Sequence, residues 1–134
     1  MSQENVKTVL DAIAAFNRGG PAAWSEFFAD DIDYRAVEGA VDDPGPIRDR
    51  DALRDYAQDW LDTFDDFRVE APELIEAGEE NVIAIIRTFG RAKLSGVETG
   101  LTFAVVFTIR DGRIAVGREY ATRKGALEAA GLSE

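Results

Sequence analysis

The stretch ETGLTFAVVFTIRDGRIAVGREYAT, residues 98–122, decides the architecture of this chain. Asp111-Gly112 lies between two runs of β-branched and aromatic residues, the strongest short-range signal for a two-residue hairpin turn. Pairing outward from that turn sets Phe107 opposite Val116, Val105 opposite Arg118 and Phe103 opposite Tyr120 on one face. The other face pairs Thr108 with Ala115, Val106 with Gly117, Ala104 with Glu119 and Thr102 with Ala121. The first face is bulky, and the second is small except for one carboxylate. A small-residue sheet face bridged by helices leaves a hollow, and Glu119 would stand in its wall.

The preceding hairpin extends the row. A turn at Ser95-Gly96 brings Leu94 back onto Val97 and sets Lys93 beside Glu98 as a favourable cross-strand ion pair. In that register Phe89 faces Thr102 and Arg87 faces Ala104, so Arg87, Ala104 and Glu119 form one row across three strands. With strands about 4.8 Å apart, the outer two are about 10 Å apart at the backbone, close enough for their side chains to meet above Ala104. A β-bulge would break this register.

Upstream, Val6, Val9, Leu10, Ile13 and Phe16 recur at helical spacing over residues 3–18. Asn17-Arg18-Gly19-Gly20 ends that helix, and Pro21 opens a second whose apolar side is Trp24, Phe27 and Phe28. Residues 32–38 read as a strand with Ile32, Tyr34, Ala36 and Glu38 on one face, and Gly39, Pro44, Gly45 and Pro46 mark a loop after it. Asp49 or Asp51 caps a third helix with the stripe Leu53, Tyr56, Ala57, Trp60, Leu61 and Phe64. A strand over residues 67–77 carries Pro72, which implies an edge or a bulge. A third strand runs over 82–93, the hairpin strands follow, and residues 124–130 form a short helix ended by Gly131. The expected fold is α+β: three N-terminal helices on the concave face of a curved antiparallel β-sheet, a cone, with a short C-terminal helix. Residues 1–134 form a single domain.

Composition narrows the chemistry. The chain has no cysteine and no histidine, which excludes disulfides, thiolate nucleophiles, Ser-His triads and the commonest metal ligands. Acid-base work falls to carboxylates, Tyr, Lys or Arg-tuned water. The net charge of −11 disfavours nucleic acid and anionic membrane surfaces. No apolar run approaches the ~20 residues that span a bilayer, and the first five residues lack the features of a signal peptide, so a cytoplasmic location is expected. Asp42-Asp43 sits in a Pro-Gly loop and reads as loop polarity, so neither metal nor cofactor is assigned.

The element order resembles the nuclear transport factor two-like cone fold, specifically its SnoaL-like branch. The resembling segments are Ala15-Phe16-Asn17-Arg18-Gly19, Phe28-Ala29-Asp30-Asp31, Arg110-Asp111-Gly112-Arg113-Ile114 and Arg118-Glu119-Tyr120. The pocket residues of ketosteroid isomerases match Ala12, Ala36 and Ala104 here, none of which carries their chemistry. Those of limonene-epoxide hydrolases match Tyr34, Arg87 and Glu119, with Phe89 and Ala36 at the positions of their second Asp and their Asn. The resemblance also implies a homodimer packed through the convex sheet face, and Leu101, Phe103, Val105, Phe107 and Tyr120 are the apolar residues expected there.

The resulting expectation is a pocket for a small apolar organic molecule. Glu119 would be its acid or base, Arg87 its orienter and Tyr34 a hydrogen-bond donor, with walls drawn from Phe89, Thr102, Ala104, Val106, Trp60, Tyr56 and Ala36. The chemistry in view is that of an isomerase, a cyclase or an epoxide hydrolase. The competing reading is a non-catalytic binding or dimerisation module in which Arg87 and Glu119 form a structural ion pair.

Overall fold

In the computed structural model, which describes residues 2–133, the order is α1 (Ser2–Ser25), β1 (Phe28–Arg35), α2 (Arg50–Thr63), β2 (Phe64–Ala77), β3 (Asn81–Ala92), β4 (Glu98–Arg110), β5 (Arg113–Tyr120) and α3 (Arg123–Ala129). Met1 and Glu134, the ends of the expected domain, lie outside the described residues. The α+β class stands. The first two expected helices run end to end as α1, bent at Gly20, whose φ of 75° and ψ of −163° are not helical and are followed by Pro21. Phe28 belongs to β1 rather than to that helix, and it is fully buried. Asp49, not Asp51, caps α2, its carboxylate accepting the Ala52 N–H at 2.8 Å.

The five strands lie in the order β1-β5-β4-β3-β2. Three neighbouring pairs are antiparallel, but β1 runs parallel to β5, with Tyr34 beside Gly117 and Arg35 beside Arg118. The sheet is therefore mixed rather than wholly antiparallel, because the last strand closes against the first instead of a hairpin partner. β2 is an edge strand whose register shifts between Glu70 and Glu73, around Pro72, as a proline in an edge strand requires.

The hairpin turn forms where expected, with Asp111 (φ 53°) and Gly112 (φ 75°) both in the left-handed region of a type I′ turn. Arg110 pairs with Arg113 and Ile109 with Ile114, but Thr108 then pairs with Val116, so a bulge leaves Ala115 unopposed. Beyond it Phe107 faces Gly117, Val105 faces Glu119 and Ala104 faces Tyr120. One extra residue moves every later side chain of β5 to the other face relative to β4. The β3–β4 register also differs by two residues: Arg91 pairs with Glu98, and Arg87 with Thr102.

These shifts exchange the roles of the two faces. The bulky face, with Phe103, Val105 and Phe107, turns toward α1 and α2 and joins the main core of Val9, Phe28, Ile32 and Leu53. The small face is the outer one. There Ala104, Ile83 and Ile85 pack under Ala126 and Leu127 of α3, with Val106 and Tyr120 alongside. The patch expected to form a dimer face is thus mostly inside: of its five residues, only Leu101 is substantially exposed, at 48%. Among the described residues no helix is long and apolar enough to cross a membrane.

Candidate active site

Tyr34 is placed by β1 and Tyr56 by α2. Both rings are buried, with their centroids 6.1 Å apart. Gly117 makes this possible, since a Cβ there would stand 2.4 Å from the Tyr34 ring. The two hydroxyls converge on Glu119 of β5. Tyr34 donates to Oε2 at 2.5 Å, and Tyr56 lies 3.0 Å from Oε1 and 3.2 Å from Oε2. No lysine or arginine of the described residues makes an ion pair with Glu119, whereas Asp33 has Arg118 and Asp43 has Arg35.

Burial dominates the acidity of this carboxyl and pushes it up to about 7. The two tyrosine hydroxyls and the Val37 N–H pull the other way, and the nearby Asp42 adds to the rise. The same burial, with the carboxylate beside it, holds the Tyr34 and Tyr56 hydroxyls well above the ordinary range of a phenol. Near neutral pH both tyrosines are donors only, and Glu119 alone gains or loses a proton.

Glu119 forms part of the wall of a cavity of about 80 Å³ under α1 and α2. Trp24 and Phe16 close it from α1, Tyr56 and Trp60 from α2, and Phe67 from β2. Trp60, Phe64 and Phe67 stack with centroids 5.7 to 5.9 Å apart, and Gly90 of β3 leaves room for that stack. Thr88 is the one hydroxyl besides the two tyrosines in the lining. The volume is below the ~150 Å³ of an apolar cavity that admits benzene, so the site as formed suits a very compact molecule. A second hollow shares Tyr56 and Trp60 and opens past Asp42 and Asp59. Among the described residues no group of three or more carboxylates is placed to hold a metal ion.

Of the residues expected at the site, Glu119, Tyr34, Tyr56 and Trp60 meet at the cavity. Arg87 does not: it is exposed on the outer face, so the Arg87–Ala104–Glu119 row and its ion pair are absent. Thr102 lies beside Arg87, and Phe89 sits on that face under the Arg68 guanidinium, 4.5 Å from its ring centre. Ala104 and Val106 belong to the layer under α3, and Ala36 is buried in the main core. The bulge accounts for the misplaced residues of β4, which lie on the face opposite Glu119. Sequence reasoning missed Gly117, whose bareness makes room for Tyr34. It also missed that an unpaired Arg118 on the bulky face was a warning against the unbulged register. Arg118 instead lies on the other side, 2.8 Å from Asp33.

The chain matches the SnoaL-like domain over residues 9–117. It belongs to the SnoaL-like family. No curated protein matches it. Among solved structures it resembles a protein of ketosteroid isomerase-like fold from Catenulispora acidiphila, in complex with trimethylamine (20% identity, 93% of this chain and 92% of that one, TM-score 0.72). It also resembles a nuclear transport factor two-like protein from Burkholderia thailandensis (24% identity, 87% and 88%, TM-score 0.75) and TerC co-crystallised with polyporic acid (18% identity, 96% and 98%, TM-score 0.75). At these identities the likeness carries the fold.

Proposed function

We propose that this protein binds a compact, largely apolar organic molecule in the aromatic cavity and exchanges a proton with it through Glu119. The observation that carries the reading is one carboxyl, shifted to about 7, in the wall of an apolar cavity and hydrogen-bonded by two buried tyrosines. A group whose pKa lies near the working pH serves as both donor and acceptor. Tyr34 and Tyr56 are positioning residues: they fix the carboxyl and favour its ionised form. Arg87 has no part in this reading. Two neighbours that carry small molecules, trimethylamine and polyporic acid, lend support to the binding half.

The test is hydrogen–deuterium exchange at the methyl groups of acetone, followed by NMR in heavy water. In this reaction a C–H bond breaks, its proton passes to the Glu119 carboxylate, and a deuteron returns to carbon from exchanged solvent. The expected result is exchange faster than in buffer, rising with pH through about 7 and reduced by roughly 10²-fold or more in Glu119→Gln. Exchange at the buffer rate together with saturable acetone binding would favour the non-catalytic ligand-binding module. A cytoplasmic homodimer belongs to the same reading. The dimer half is supported by the exposed Leu94, Val97 and Leu101 around the β3–β4 turn, and light scattering of the purified protein tests that half.

A further inference from the structure

We infer that the group this cavity presents to Glu119 is a small alkylammonium ion. The inference rests on reading the cavity as a ligand pocket and narrows its ligand to a class. Three observations on this chain lead to it. The lining is rich in aromatic residues, among them Trp24, Trp60, Phe16, Phe67, Tyr34 and Tyr56, and aromatic rings can attract a desolvated cation. Glu119 is the only charged residue in the lining, and among the described residues no lysine or arginine pairs with it, whereas Asp33 and Asp43 each have an arginine. A buried charge without a partner is costly, and a ligand that brings the opposite charge removes that cost. The adjoining hollow is acidic as well: Asp42 and Asp59 line it, with no lysine or arginine there.

The hydrogen bonds point the same way. Both tyrosines donate to Glu119, which leaves its oxygens as acceptors, and an ammonium N–H is a donor they can accept. A neutral carbonyl molecule presents these oxygens only with C–H groups, which are far weaker donors than an ammonium N–H. The small volume restricts the alkyl groups to a few carbons. Glu119 would be the counter-ion of that ammonium group.

The test compares trimethylammonium with tert-butanol, a neutral molecule of nearly the same shape, in NMR titrations. The two tryptophan indole signals report on the cavity, since Trp24 and Trp60 are the only tryptophans and both line it. The expected result is at least tenfold tighter binding of trimethylammonium, with that preference abolished in Glu119→Gln. The preference should also grow as pH rises from 6 to 8, because Glu119, faced by Tyr34 of β1, Tyr56 of α2 and Asp42 of the loop, is the group that ionises there. Equal or tighter binding of tert-butanol would overturn the ammonium inference and leave the pocket intact. Binding of neither probe would overturn both. The two-probe comparison on the unaltered protein holds even where Glu119→Gln fails to fold.

Discussion

Glu119 is moved from about 4.5 in water to about 7 in the fold, and this makes it a pH sensor of stability as well as of chemistry. The folded chain holds the proton more tightly than the unfolded chain. Its contribution is therefore complete below the unfolded value near 4.5 and is lost as pH rises through about 7. The size of that loss is about 3 kcal/mol at most. With no histidine in the chain, no other side chain has an ordinary pKa inside this window. Urea unfolding of the wild type should thus show stability falling between pH 5 and 8, and Glu119→Gln should flatten the slope and be the more stable protein above pH 7. Parallel slopes would mean that the carboxyl is not held as described. Gly117 offers a second residue-scale test. Gly117→Ala forces its Cβ against the Tyr34 ring, a clash of the overpacking kind that costs about 1–3 kcal/mol. It should also swing the Tyr34 hydroxyl off Glu119, removing a hydrogen bond that lowers the carboxyl pKa. A carboxyl ¹³C titration of the variant should place Glu119 above its wild-type value.

Elements whose signals are local were legible in the sequence. The break between the two parts of α1 is written in Gly20-Pro21, the cap of α2 in Asp49, the turn of the last hairpin in Asp111-Gly112 and the edge character of β2 in Pro72. What was not legible depends on contacts between distant segments. The parallel pairing of β1 with β5 has no local signature. The bulge at Ala115 is selected by tertiary packing, since only that parity aims Glu119 at Tyr34 and sends Arg118 out to Asp33. Half of the expected site followed from that one residue: Glu119 and Tyr34 reach the cavity, while Arg87 and Thr102 point away from it. The difference is measurable. Arg87→Ala should change stability by no more than about 0.5 kcal/mol and leave the Glu119 titration unmoved, because an exposed side chain away from special contacts contributes little. A loss of several kcal/mol would restore the buried ion pair that the bulge removes.

At the scale of the whole molecule, 26 acidic residues against 15 basic ones leave a charge of −11 that the fold must hold together. Surface pairs such as Lys7–Asp11, Arg91–Asp66 and Arg123–Glu73 relieve the repulsion locally, but exposed pairs contribute little each and cannot cancel the excess. The net field therefore opposes the compact state and attracts cations, including toward the Asp42–Asp59 hollow. Salt should act on these two consequences in opposite directions. Raising sodium chloride from about 0.02 M to about 0.5 M shortens the Debye length from roughly 20 Å to roughly 4 Å. At pH 7.5 the melting temperature should rise across that series as self-repulsion is screened, while the affinity for trimethylammonium should fall. At pH 4.5 both trends should shrink, because many carboxylates are then protonated. A melting temperature that falls with salt at pH 7.5 would mean that the surface pairs, rather than the net charge, govern stability in this fold.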